Sequence, residues 1–177
     1  MSMIQVTVQS LGLDRRSNTP VVILQERDGT RNLPIWIGPG EASAIAMELA
    51  GMKFSRPLTH DLFVSAIGGL GGALHRVNIT RVVENTYYAE LIIRRDGEFF
   101  SVDARPSDSI AIALRMGADI YTADDLLEHT PVEIAEVSEF DDEPMAASDE
   151  EEEQRPPEDL KEYLRRLNPE DFGRFTP

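Results

Sequence analysis

The chain contains no cysteine, which excludes disulfides and thiolate metal sites. It has no run of about 18 apolar residues, so the sequence offers no membrane span. The first residues, MSMIQVTVQSLGLDRR, lack a basic stretch followed by an unbroken apolar one and do not read as a signal peptide. There is no Walker loop, no GxGxxG after a strand and no GxSxG elbow. GGLGG at 68–72 has no Lys-Ser/Thr after it and reads as a helix stop. A basic excess is also missing, because 17 Lys+Arg stand against 32 Asp+Glu for a net charge of −15. That argues against tight nucleic-acid binding by charge alone, but not against contact with a few phosphates. These absences together predict a soluble, cytoplasmic protein with no membrane partner.

What is present is enough for one globular domain, with length left over: 177 residues, 41% of them hydrophobic. Charge is unevenly spread. Residues 1–137 hold 12 Lys+Arg and 18 Asp+Glu, a net −6, whereas residues 138–177 hold 5 and 14, a net −9. The expected division is a folded domain over 1–137, an acidic disordered linker over 138–159 and a short helical tail over 160–177.

Within the domain, MIQVTVQSL alternates as a half-buried strand does, and PVVILQER reads as a second strand. Asp28–Gly29 is a hairpin signal leading into RNLPIWIG. GEASAIAMELAG reads as a buried helix ending at Gly51. Thr59 is placed to cap a second helix that ends in the glycines 68, 69, 71 and 72. HRVNITRVVE, TYYAELIIRR and EFFSVDA read as three more strands, the last two joined at Asp96–Gly97. RPSDSIAIALRMGA supplies a third helix, DIYTADDLLEH a short strand and helix, and PVEIAEV closes the domain.

A repeat runs through this layout. Shifted by 67 residues, PGEASAIAMELAG lies on PSDSIAIALRMGA, so that Pro39 meets Pro106 and Glu41 meets Asp108. Each copy is a hairpin followed by a helix that opens with Pro and an acid. Small residues on both helices suit close approach. The expected fold class is α+β, with internally duplicated β-hairpin/helix units forming a mixed or antiparallel sheet packed against helices.

The polar opening of the third helix invites two explanations. An acid and a Pro in the first turn are favoured by the macrodipole and the unpaired N–H groups there. Capping alone would therefore explain Pro106, Ser107 and Asp108, and capping is also the expected role of Glu41. The alternative is a site. Asp103 and Arg105 stand where strand hands over to helix, close to Asp108. Two carboxylates and an Arg suit a divalent metal such as Mg or Mn on Asp103 and Asp108, with a phosphodiester on Arg105. His60 and Asp61, in the first turn of the second helix, are candidates for proton transfer. His75, in a strand, and His129, in a loop, have no evident partner.

The stretches LPIWIG, GEASAIAMELAG, RPLTHDLF, YYAELII and ARPSDSIAIALRMGADIY, taken in order, resemble the bifunctional nuclease domain family over about Ile4 to Val137. The matching motif positions are Arg56, Pro57, His60, Asp61, Arg105, Pro106, Ser107, Asp108 and Ser109. DLKEYLRRLNPEDF is similar to the C-terminal end of actinobacterial members. The resemblance implies cleavage of both RNA and DNA, an internally duplicated α+β fold and a homo-oligomer, a dimer above all. It brings no catalytic set with it. The expectation is thus a broad nuclease in which Asp103, Asp108, His60 and Asp61 do the chemistry while Arg105, Arg56, Ser107 and Ser109 hold the substrate. The rival is a non-enzymatic regulatory or protein-interaction module, whose polar helix starts are caps and whose acidic tail does the docking.

Overall fold

The computed structural model describes residues 2–15, 17–127 and 134–136. Its strands are β1 (Met3–Asp14), β2 (Pro20–Glu26), β3 (Asn32–Trp36), β4 (Ala73–Val83), β5 (Thr86–Arg95), β6 (Glu98–Ala104), β7 (Asp119–Ala123) and β8 (Ile134–Glu136). The helices are α1 (Pro39–Leu49), α2 (Thr59–Gly69) and α3 (Pro106–Met116), with a turn of 3-10 helix over Asp124–Leu126. The acidic linker, the terminal helix and His129 lie outside the described residues.

One mixed sheet runs in the order β3-β2-β1-β7-β4-β5-β6, and β8 pairs with the far end of β1. Neighbours are antiparallel except β4 and β7, which run parallel. The α+β class with a mixed sheet is therefore as expected. The order hairpin-then-helix occurs twice, in β2-β3-α1 and in β5-β6-α3.

Pairing partners share a face, and this fixes which side of the sheet is core. Val77 stands opposite Leu91 and Ile120, and Ile79 opposite Ala89. These residues are buried with Ile45 of α1 and Ile110 and Ala111 of α3. The three helices thus cover one face. α3 is the most apolar of them at the contact, with Ile110, Ala111, Ile112 and Ala113 all buried. It ends at Gly117, whose φ of 61° is a left-handed stop that a side chain would strain. α2 is different: Ile67 is its one buried residue, while Leu62 and Phe63 face outward and Leu70, just past its end, is 72% exposed. No helix among the described residues is long and apolar enough to cross a membrane.

Two local expectations need correction. Thr59 is not the cap of α2. The cap is Leu58, and Thr59 is the first helical residue. Asp61 supplies what a capping hydroxyl would have supplied from the other direction, because its Oδ2 accepts the Leu58 N–H at 2.9 Å. At the two Asp-Gly turns the chemistry also divides. Asp96 and Gly97 both have positive φ, as a two-residue hairpin loop requires. Asp28 and Gly29 do not, because β2 and β3 are joined by five residues, 27–31. That hairpin is closed instead by the Arg31–Glu26 ion pair at 2.9 Å.

Candidate functional site

The first turns of all three helices meet. α3 follows β6 without a loop, so Arg105 takes the N-cap position with extended backbone and Pro106 opens the helix. One turn in, Asp108 points back. Its Oδ2 accepts Arg105 Nε–H at 2.7 Å and its Oδ1 accepts from Arg105 Nη2 at 3.1 Å. Oδ1 also lies 3.2 Å from His60 Nε2, from the first turn of α2. Arg105 Nη1 reaches the first turn of α1 and donates to Glu41 Oε1 at 2.7 Å. The result is a chain of side chains, Glu41–Arg105–Asp108–His60, contributed by three separate helices.

α3 opens with polar groups, and two of them, Arg105 and Asp108, are engaged in this chain. Its N-cap residue makes no side-chain cap, and the Asp108 hydrogen bonds above all go to side chains. Asp61 does cap, as described, and its Oδ1 accepts from Arg115 Nε at 2.7 Å. Arg115 also donates to the Ala111 and Ala44 carbonyls, and its Nε lies 3.9 Å from Glu48. One cation therefore ties all three helices beneath the chain of polar groups. Asp61 is thus brought close to His60 in sequence but serves the Arg115 anchor.

The electrostatics follow from these contacts. Burial raises the Asp108 carboxyl's pKa, but hydrogen bonds and charge from Arg105 and His60 outweigh it and hold the group below its ordinary value. Asp61 behaves likewise: burial raises it, and Arg115 with the Leu58 amide brings it down further. Both are carboxylates at neutral pH. An ionised Asp108 can only accept, so His60 Nε2 is the donor in this contact and Nδ1 is the ring nitrogen turned away from it. Arg105, exposed over 65% of its side chain, has five N–H donors. Three are engaged as above, which leaves two for a ligand.

The other expected residues are placed as follows. Asp103 lies exposed on β6, opposite Glu90 of β5 rather than in the Arg105 cluster. Arg56 is exposed in the segment before α2. Ser107 is buried, and Ser109 is fully buried with a hydroxyl that has no hydrogen-bond partner among the described residues, so neither hydroxyl lies at the surface beside Arg105. For a divalent metal on Asp103 and Asp108 the donor set does not fit this arrangement. Both Asp108 oxygens are occupied by Arg105 and His60, and no group of three or more metal-ligating side chains is gathered among the described residues. Sequence reasoning missed Arg115 and put capping first for Glu41, with a further acid of the site as its alternative role. The signal for Arg115 is its spacing: seven residues after Asp108 and four after Ala111, on the face α3 turns toward the other helices.

Comparison with known proteins bears on this site. The family model of the bifunctional nuclease domain matches residues 22–135, which include every residue of the polar chain. An uncharacterized protein of Mycobacterium tuberculosis is 42% identical over 168 residues, covering 95% of this chain and 97% of its own length. Bifunctional nuclease 1 of Arabidopsis thaliana is 29% identical over 100 residues, 54% of this chain and 31% of the plant protein. Bifunctional nuclease 1 of Oryza sativa subsp. japonica is 30% identical over 98 residues, 53% of this chain and 30% of its own. The chain thus spans under a third of the length of these two plant proteins.

Proposed function

Because the chain belongs to the bifunctional nuclease domain family, we propose that it hydrolyses phosphodiester bonds in RNA and DNA at the Glu41–Arg105–Asp108–His60 site. The observation that supports this most is the His60–Asp108–Arg105 convergence, in which an oriented imidazole stands beside an exposed guanidinium. Arg105 is the one exposed member of the four, and an exposed ion pair contributes roughly 0–1 kcal/mol, so the guanidinium itself adds little to stability where it stands.

The mechanism runs through protein groups. A phosphodiester docks on the two free Arg105 donors, at the N-terminus of α3, where backbone N–H groups and the helix dipole favour an anion. Glu41 and Asp108 hold the guanidinium from two sides, so it is oriented before substrate arrives. His60 Nδ1 takes a proton from water as the water oxygen bonds to phosphorus. The phosphorus–oxygen bond to the leaving nucleoside breaks, and that oxygen takes the proton back from the imidazolium. Asp108 stabilises the imidazolium between these steps. The charge that builds on the non-bridging oxygens falls on Arg105. Nothing in this sequence of events reads a base, which fits activity on either nucleic acid.

The test is hydrolysis of labelled single-stranded RNA and DNA by the protein and by His60→Ala, Asp108→Asn, Arg105→Gln and Asp103→Asn. The first three are expected to lose about a hundredfold or more while remaining folded at the assay temperature. Asp103→Asn is expected to keep its activity. Equal rates in all five proteins would overturn the reading, as would no hydrolysis by the parent.

A further inference from the structure

The tight turn between β5 and β6 opens onto a groove of about 440 Å³, lined by Gly71, Ala73, Arg94, Arg95, Asp96 and Gly97. It lies at the opposite end of β6 from Arg105. Arg94 is exposed, and its side chain makes no ion pair with any described residue. Arg95 keeps one contact to Asp96 at 3.3 Å and lies 5.7 Å over the Phe100 ring. In the next position across the sheet from Arg94 stands Phe99. Phe99 is 58% exposed and its ring centroid is 5.0 Å from that of His75, tilted by 57°. An open aromatic ring beside a cationic groove offers a stacking surface next to an anion site. No helix covers this face of β5 and β6: Phe99 and His75 lie on the side away from α1, α2 and α3.

We propose that this groove, with Phe99 and His75 beside it, is a second nucleic-acid site that anchors an unpaired nucleotide of a single strand. Arg94 meets the phosphate and Phe99 the base. The ligand class rests on the phosphodiesterase reading above; the site itself rests on the groove and the rings. A base stacks on an aromatic side chain only when its face is free, so the site selects single strands over duplex. β6 sets the spacing. Its seven residues span about 20 Å at roughly 3.3 Å each. At about 3.4 Å per phosphate of a stacked strand that is about six nucleotides between the anchor and Arg105. β6 is an edge strand with every residue from Glu98 to Asp103 exposed, so a strand bound at Phe99 meets an open edge there.

Fluorescence anisotropy tests this without cleavage, using labelled oligothymidylates from about 2 to 12 nucleotides on a His60→Ala background. Affinity is expected to rise with length until about six nucleotides and then level off. Phe99→Ala should weaken the longer probes about tenfold and flatten that rise, and Arg94→Gln should lower the salt slope by about one. Phe99→Trp keeps a ring in place, and its emission, taken against the parent with Trp36, should be quenched by the probe. Both side chains are exposed, so folding is not at stake. Length-dependent binding that is unchanged in Phe99→Ala and Arg94→Gln overturns the proposal, and so does a parent that binds no single strand. If the site variants weaken binding while no version of the protein hydrolyses a strand, the anchor stands and the nuclease reading fails.

Discussion

Arg115 Nε lies 2.7 Å from Asp61 Oδ1, and only 6% of the Arg115 side chain reaches solvent. This pair joins α3 to α2, the helix with the fewest buried residues. It therefore governs how His60 is presented to Asp108. Removing one partner of a buried pair strands the other charge, whereas replacing both can be close to neutral. Arg115→Met is expected to destabilise the protein by about 3 kcal/mol in urea unfolding. The double variant Arg115→Met with Asp61→Leu should recover part of that loss. If the double loses the sum of the two single changes, the pair is not coupled as drawn.

The same carboxylates predict the acid limb of stability. Asp61 and Asp108 are held below the ordinary value of 3.8 in the folded protein. In the unfolded chain each binds its proton first as pH falls. Their contribution is fully present well above that value and is lost as pH drops through the lower folded values. Asp61→Asn should therefore flatten the fall in melting temperature below about pH 5, with little change in slope near neutrality. A curve parallel to that of the parent would contradict the assignment.

Glu41 accepts from Arg105, and Gly38 leaves room for it: a Cβ at Gly38 would collide with the Glu41 carboxylate. Gly38→Ala and Glu41→Gln are both expected to free one side of the guanidinium. Hydrolysis should fall about tenfold in each, with stability changed by less than about 1 kcal/mol. Loss of stability without loss of rate would reduce Glu41 to a packing role.

Metal dependence separates two uses of Asp108. As placed, its carboxylate is fully engaged by Arg105 and His60, so chelator-treated protein is expected to hydrolyse its substrate at an unchanged rate. A rate that collapses and returns with Mn or Mg would mean that Asp108 leaves Arg105 to bind a cation.

Leu62, Phe63 and Leu70 stand exposed along α2. With the open edge of β6, they are the surface most suited to self-association. Light scattering should give a mass above the 19.8 kDa of one chain, and Phe63→Asp with Leu70→Asp should return it to that value. A monomer mass for the parent at micromolar concentration removes this prediction.

Much of the fold was legible because its signals are periodic or local. Alternation marked the strands, the unbroken Ile110–Ala113 run marked the innermost helix and Asp96–Gly97 marked a tight turn. The polar residues before Ile110 announced Arg105 and Asp108. Their partners were not legible in the same way. His60 and Asp108 are 48 positions apart and Arg105 and Glu41 are 64 apart. Each of the four is an ordinary residue at the start of a helix. Only the packing of three helix starts into one corner makes them neighbours, and no local pattern encodes that corner. Ser109 shows the converse. It sits in the motif beside Asp108, yet one step round the helix carries it into the core.

The parallel seam between β4 and β7 has a consequence for how the chain assembles. β1 to β3 form one antiparallel meander and β4 to β6 another, and each can pair as soon as its own residues exist. Within the sheet the two meanders are joined through β7, which is made after both and lies between β1 and β4. During synthesis each half therefore waits with an unpaired inner edge, a template for the wrong partner. Pairing of Asp119–Ala123 with β1 and β4 is a long-range closure, intrinsically slower than the growth of either meander. A chain cut before residue 119 would lack the strand that joins the two half-sheets and would leave the facing edges of β1 and β4 unpaired.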